Sequence, residues 1–460
     1  MPETAKPALT ASLYRVIWRW HFYAGLLVLP FLVMMAITGG AYLFKPELDH
    51  WLYRSMEDVP AQAHKLASAS AVVAHVEESL NARVLELTPS QAPTAAVRLL
   101  ARVSDGEVRT VFADPYDGHV TGSTSYGGVL QVVRKVHSLQ KFGFWASCLI
   151  EIAAGWTIIL AGTGLFLWWP RGSAGGVVTV RGSPESRVFW RDLHAVTGAL
   201  ASVVILFLAI TGMPWSMFWG DHLQSWATEQ HLGEPAPPVA VTPAWQMTAT
   251  MPNMPHTPHE HAAHAPNALP WAMEQAIPPH SEPSPSRGEP ISLDAALARF
   301  HELGLDSGAS ITLPEGPDGA YVGNWRPDRA EETRVVYLDQ YTGAMLGDVG
   351  FRDFGPVAKS IEWGIAVHQG QEFGAVNRYV MLLGCLAIVL LAVAAVTMWW
   401  KRRPQGTWGV PPAPDFPGAG RGFMAIVVAV GVLFPLVGAS LVIAVLANLS
   451  GRRWRVRYGS

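Results

Sequence analysis

Apolar positions along this chain gather into long unbroken runs instead of alternating with polar ones. Four runs are clear, at about residues 18–44, 144–169, 193–219 and 377–400, and a fifth extends from Phe423 to Leu449. Each exceeds the roughly 20 residues that a helix needs to cross a ~30 Å hydrocarbon core, so five transmembrane helices are expected. Pro435 falls inside the fifth run and would alternatively mark a re-entrant hairpin. No small-x-small motif follows the first run, which predicts a retained anchor instead of a cleaved signal peptide.

Basic residues orient these helices. Arg15 and Arg19 precede the first run, Arg171, Arg181, Arg187 and Arg191 fill the loop between the second and third, and Lys401, Arg402, Arg403 and Arg421 lie between the fourth and fifth. An excess of Lys and Arg marks cytoplasmic loops. The N-terminus and both loops are therefore expected in the cytoplasm of a bacterium, and the long connections 45–143 and 220–376 in the periplasm. Arg452, Arg453, Arg455 and Arg457 would break that rule if the fifth run is a single span.

The runs also repeat. His21-x3-Gly25 followed by Thr38-Gly39 recurs as His194-x3-Gly198 followed by Thr211-Gly212, at a constant offset of 173. His137, Phe142-Gly143 and Trp168-Trp169 recur as His368, Phe373-Gly374 and Trp399-Trp400, at an offset of 231. Between them, Val111-Phe-x-Asp114-x-Tyr116-x-Gly118-x3-Gly122 is echoed by Val336-Tyr-x-Asp339-x-Tyr341-x-Gly343-x3-Gly347, at an offset of 225. The jump from 173 to 225 locates an insertion over residues 232–290, which hold fourteen of the chain's 35 prolines and are expected to build no core. The chain reads as two copies of helix, small periplasmic domain, histidine, helix.

Each periplasmic domain reads as a small α/β unit. The first offers a helix near 65–82 and strands near 96–102 and 108–113. The second offers a helix over about 293–303, capped by Ser292, and short runs near 311–313, 320–325 and 334–338. The Asp-x-Tyr-x-Gly element suits a structural turn between strands, with glycine at the position needing a positive φ.

Composition narrows the chemistry. Half of the residues are apolar and 15% charged, with a net charge of −3, so nothing argues for nucleic acid. Two cysteines, Cys148 and Cys385, both inside apolar runs, read as small buried hydrophobes and leave no ligand set for an iron–sulfur cluster. The four repeated histidines remain. One membrane histidine is often only a hydrogen-bonded polar residue, but recurrence at matched places in two repeats points to a site. A helix rises 1.5 Å per residue, so Thr38 and Thr211 lie about 25 Å beyond His21 and His194. Two-fold pseudosymmetry then brings His21 opposite His194 at the cytoplasmic side and His137 opposite His368 at the periplasmic side. Facing imidazoles without cysteine or carboxylate companions suit the iron of a bis-histidine haem b better than zinc or non-haem iron. Gly25 and Gly198, one turn after their histidines, would leave room for a flat macrocycle or equally for close helix packing, and Arg19, Arg134 and Arg191 are candidate propionate partners, although positive-inside anchoring explains Arg19 and Arg191 just as well. With both axial positions filled, such haems carry electrons and do not bind oxygen.

These motifs resemble the PepSY-associated transmembrane family. The likeness rests on the His-x3-Gly spans ending in Thr-Gly, the Val-[Phe/Tyr]-x-Asp-x-Tyr-x-Gly element and the Trp-Trp pair, and it covers nearly the whole chain outside the insertion. The resemblance implies a dihaem ferric-siderophore reductase of the inner membrane, with His21, His194, His137 and His368 as axial ligands. Its partners would be the lipid bilayer, a ferric siderophore and a separate cytoplasmic or membrane electron donor, since no nucleotide fingerprint occurs in the cytoplasmic loops. The expected fold is a membrane α-helical bundle of four core spans plus one C-terminal span, with two small periplasmic PepSY-like α/β domains in an internal two-fold duplication. In order these are span 12–45, domain 46–125, span 126–170, loop 171–189, span 190–219, insertion 220–290, domain 291–355, span 356–400, loop 401–421 and span 422–449.

Other classes stay open. Met247, Met251, Met254 and Met273 with His256, His259, His261, His264 and His280 would suit copper, making a cupric reductase an alternative; a disordered linker of biased composition is the simpler account. Glu151, inside the second span where its repeat counterpart is Leu382, is either a proton-linked group or a hydrogen-bond partner of a neighbouring helix. A repeat-built transporter would place its polar groups at the midplane, not at the faces. A non-catalytic regulator of periplasmic proteins would bind no haem.

Overall fold

The computed structural model describes residues 6–63, 65–170, 176–230, 232–233, 269–273, 278–282, 288–305, 308–403 and 421–458. Four helices are long and apolar enough to cross a membrane, within Leu13–Tyr42, Phe144–Trp168, Arg187–Trp215 and Gly374–Arg402. They belong to α1 (Lys6–Tyr42), α5 (Phe144–Trp168), α6 (Arg187–Gly212) and α10 (Gly374–Arg402). Packing runs round a ring, α1 on α5, α5 on α6, α6 on α10 and α10 on α1, so all four line one bundle. Exposed Leu26, Leu200, Val203 and Leu383 cover its outside. In water so much exposed apolar area would drive aggregation; in lipid it is the favoured surface.

One end of the bundle carries a single antiparallel eight-stranded sheet. It is built from β1 (Ala82–Thr88), β2 (Val97–Val103), β3 (Val108–Ala113), β4 (Val120–Ser125), β5 (Ser310–Thr312), β6 (Ala320–Trp325), β7 (Arg334–Asp339) and β8 (Met345–Gly350), in the order β4-β3-β2-β1-β5-β6-β7-β8. The two small α/β domains expected from sequence are thus fused edge to edge, where Leu87 pairs with Ile311 and Glu86 with Thr312. Pairing removes two raw sheet edges that would otherwise present unsatisfied N–H and C=O groups. Helices α3 (Ala69–Leu80) and α8 (Leu293–Glu302) lie together on one face. Val72, Val76, Leu87, Leu99, Phe300, Ile311 and Leu338 form one core spanning both halves. Asp294, at the start of α8, accepts hydrogen bonds from the Ala69 and Ser70 N–H groups at 2.7 and 3.3 Å, so one half caps the helix of the other. Ser292 caps α8 as expected, accepting from Ala295 N–H at 3.2 Å, and Ser68 does the same for α3. The Asp-x-Tyr-x-Gly elements are the β3–β4 and β7–β8 turns. Asp114 and Asp339 accept from the Tyr116 and Tyr341 N–H groups, and Gly118 and Gly343 stand at φ +79° and +68°.

The other face of the sheet meets α2 (Lys45–Glu57), α4 (Gly128–His137) and α9 (Pro356–His368), which join it to the bundle. The insertion also contributes here, against expectation: Trp271, Ala272 and Met273 are buried against Val335, Tyr337, Phe354 and Ile365. Its prolines prevent a core of its own, but one aromatic and one thioether side chain add readily to an existing one. Met273 is thereby packed in an apolar core, and His280 is exposed. Met247, Met251, Met254, His256, His259, His261 and His264 lie outside the described residues.

The expected fifth span is not one helix but two, α11 (Arg421–Leu433) and α12 (Pro435–Tyr458). A Cβ placed on Gly431 would lie 3.0 Å from Gly438 Cα. Residues seven apart in a straight helix are separated by about 10 Å, so the chain reverses at Phe434-Pro435 into a hairpin. It docks on α5, where a Cβ on Gly155 would strike Val437 and the Trp156 Nε1–H donates to Ser440 Oγ at 2.9 Å. Its apex reaches the sheet end, because Trp219 Nε1–H donates to the Leu433 carbonyl at 2.8 Å.

Candidate functional site

The four repeated histidines meet in two pairs at opposite ends of the bundle. His21 on α1 faces His194 on α6, with ring centroids 6.4 Å apart and ring planes at 86°. His137 ends α4 and His368 ends α9, both at the sheet end. Burial pushes the His137 imidazole down to about 4, and burial together with the neighbouring His137 pushes His368 down to about 3, so both are neutral at neutral pH.

What fixes these rings was only half visible in the sequence. Thr38 and Thr211 served there as depth markers; in the fold they hold the second histidine pair. Thr38 Oγ1 donates its proton to the Met34 carbonyl at 2.7 Å, one helical turn back, and lies 2.9 Å from His137 Nδ1. Thr211 repeats this, donating to the Phe207 carbonyl at 2.6 Å and lying 2.8 Å from His368 Nδ1. With its own hydrogen spent on the helix, each hydroxyl oxygen meets the ring as an acceptor, and Nδ1 carries the proton. A third threonine, Thr163 on α5, does the same for His21. It donates to the Ile159 carbonyl at 2.8 Å and lies 2.9 Å from His21 Nδ1. His194 Nδ1–H donates to the Leu391 carbonyl of α10 at 3.1 Å. All four rings therefore keep Nε2 as the lone-pair nitrogen.

The glycines after these threonines make room. A Cβ on Gly39, Gly164 or Gly212 would lie 3.2, 3.3 or 3.7 Å from Cε1 of His137, His21 or His368. A Cβ on Gly25 or Gly198 would meet the Leu160 or Leu391 side chain at 3.9 or 3.5 Å, an ordinary contact distance. Thr163-Gly164 was missed because its positions in the other repeat are Ala394 and Ala395, so no repetition flagged it.

Two such rings are a fit for one metal between them. Metal–imidazole bonds of ~2.0 Å, plus about 1.1 Å from nitrogen to ring centre, put two opposed ligating rings about 6.2 Å apart. The His21–His194 separation of 6.4 Å matches that gap. Among the described residues, no three or more His, Cys, Asp and Glu side chains come together as a metal group.

The surrounding charges are already committed. Arg191 and Arg181 both pair with buried Asp192 at 2.7 Å, Arg134 donates to Gln131 at 2.9 Å, and Arg19 lies over the Tyr23 ring at 5.4 Å. Glu151 accepts from the Phe218 and Trp219 N–H groups at 3.3 and 3.0 Å, tying α5 to the start of α7 (Trp219–Glu229). That contact answers to the hydrogen-bonding role weighed for it from sequence. Cys148 and Cys385 are both buried free thiols.

No curated protein matches the chain. A family model, described as the PepSY-associated TM region, matches residues 18–402 and so takes in all four spans, the sheet and both histidine pairs. The chain is a membrane protein and belongs to the family of PepSY-associated transmembrane regions.

Proposed function

We propose that this protein is a dihaem electron carrier of the bacterial inner membrane that reduces the ferric iron of siderophore complexes at the periplasmic face. One observation carries the reading. Four half-buried histidines gather in two pairs, His21 facing His194 and His137 neighbouring His368, and each spends its Nδ1–H on an acceptor so that Nε2 is left to ligate. His21 with His194 would hold one haem b and His137 with His368 the other, and each bound haem supplies a one-electron carrier. Seventeen residues of α1 separate His21 from Thr38, so the two sites stand about 25 Å apart along the bundle. That spacing suits passage from one membrane face to the other.

The rest of the chain supports the direction. Arginine-rich loops favour a cytoplasmic His21–His194 end and a periplasmic sheet. Reversal of the chain at Phe434-Pro435 returns α12 towards the cytoplasmic side, which removes the conflict with the charge rule raised by a fifth span. Siderophores are hard-oxygen chelators matched to Fe(III). Adding one electron gives Fe(II), which they hold less tightly, and no acid or base is needed. The electron comes from a separate donor on the cytoplasmic side, and the two repeats of helix, half-sheet, histidine and helix each furnish one ligand to each site.

Purified protein is expected to bind two low-spin b-type haems per chain, by visible spectra of the oxidised and dithionite-reduced forms with haem quantified. His21→Ala and His194→Ala should empty one site, and His137→Ala and His368→Ala the other. The reduced protein should be reoxidised faster by ferric siderophores than by cupric salts; preference for copper would redirect the substrate assignment. A protein that stays colourless when expressed with excess haem defeats the reading altogether.

A further inference from the structure

The two histidine pairs are anchored differently, and the difference lies in Thr163. At the sheet end His137 and His368 rest on matched threonines, Thr38 and Thr211, in the two halves. At the other end the offset of 231 sets Leu160 against Leu391 and Thr163 against Ala394. His194 has no hydroxyl in reach on α10 at that place and donates to the Leu391 carbonyl. His21 reaches three residues further along α5, to the Thr163 hydroxyl. The His21 ring thus has, besides the Leu160 carbonyl that matches Leu391, a second acceptor almost one helical turn further along, the Thr163 hydroxyl, which His194 lacks on α10. Ala394 is fully buried and offers only a methyl group where α5 offers the Thr163 hydroxyl, and Gly164 beside the His21 ring edge has no side chain at all. The planes stand at 86°.

Building on the haem reading above, we propose that Thr163 is a positioning residue that turns the His21 ring across the His194 ring, so that the haem between them carries crossed axial imidazoles. Crossed ligands leave the two iron d-orbitals that overlap the imidazole π systems nearly equal in energy. A ferric low-spin haem of that kind gives one strongly anisotropic low-field resonance, whereas parallel rings give a three-line rhombic spectrum. The same hydrogen bond makes the His21 ring a stronger donor, which favours Fe(III) and lowers the potential of this site.

The test is low-temperature paramagnetic resonance and redox titration of full-length protein purified with its haem, as wild type, Thr163→Val and Thr163→Ser. The wild type is expected to show a strongly anisotropic signal for one haem, assigned to this site by its loss in His21→Ala. Thr163→Val keeps two haems, moves that signal towards a rhombic spectrum and raises the potential of that haem alone. Thr163→Ser restores both. If Thr163→Val empties the site, the serine variant decides: recovery of the anisotropic signal upholds the role and its failure overturns it. Two haems with rhombic signals in the wild type, or an anisotropic signal unmoved by Thr163→Val, overturn this inference and leave the haem reading standing. Absence of haem overturns both.

Discussion

An imidazole inside a helix bundle is useful as a ligand only if its tautomer and its angle are fixed, and here each ring meets an acceptor at Nδ1 that helps to fix both. Thr38 shows the cost of losing it. Thr38→Val keeps the shape but replaces the hydroxyl acceptor of the half-buried His137 ring by a methyl group, a loss of roughly 1–3 kcal/mol. The expected outcome is weaker haem retention at the sheet-end site, with the other site unchanged; haem content after dilution and the spectra of each site measure it, and equal loss at both sites would contradict the pairing. The histidines themselves were legible in the sequence because they repeat at fixed offsets. Thr38 and Thr211 repeat too, yet a threonine 17 residues along a helix says nothing of which ring it will touch, since that ring arrives from α4 or α9 far along the chain. Thr163 was illegible for a different reason. It is unmatched, and one Thr-Gly pair in an apolar run is ordinary helix composition.

Among the elements, those with a strong pattern were readable and those built by context were not. Four long apolar runs, helix α3 and the capped helix α8 were all expected close to where they lie. Strands β4 and β8, with sequences Val-Thr-Gly-Ser-Thr-Ser and Met-Leu-Gly-Asp-Val-Gly, carry too little β-propensity to be seen alone, and edge pairing makes them strands. The C-terminal hairpin lies between these cases: Pro435 signalled a break, but the reversal depends on Gly431 and Gly438 letting two backbones touch. Docking of that hairpin depends on Gly155, whose missing side chain admits Val437. Gly155→Leu should detach α11 and α12 from α5, raising protease cleavage between residues 421 and 458 while both haems remain. Unchanged cleavage would mean that Trp156–Ser440 and Trp219–Leu433 alone hold the hairpin.

For the whole molecule, the decisive fact is that the two halves share one sheet and one core. Leu87 is only 1% exposed and pairs with Ile311 across the seam. Leu87→Ala is expected to cost about 2–5 kcal/mol. Because α3 and α8 pack together over that seam, amide exchange should accelerate in β6 and β7 as well as in β1 to β3. Acceleration confined to the first half would show that the halves open separately. The sequence offered two domains here because the repeat is visible along the chain and the seam is not: β5 is three residues long and shows no pattern of its own.

That seam also sets a clock on synthesis. Strand β1 ends at Thr88, and its partner β5 begins only at Ser310. At ~5–20 residues per second, the first half must wait on the order of ten to forty seconds before the strand that completes it leaves the ribosome. Throughout that interval β1 presents a bare edge beside an unfinished core. The nascent chain therefore carries an unpaired strand edge on the sheet side of the membrane from the emergence of β1 until the second half closes over it.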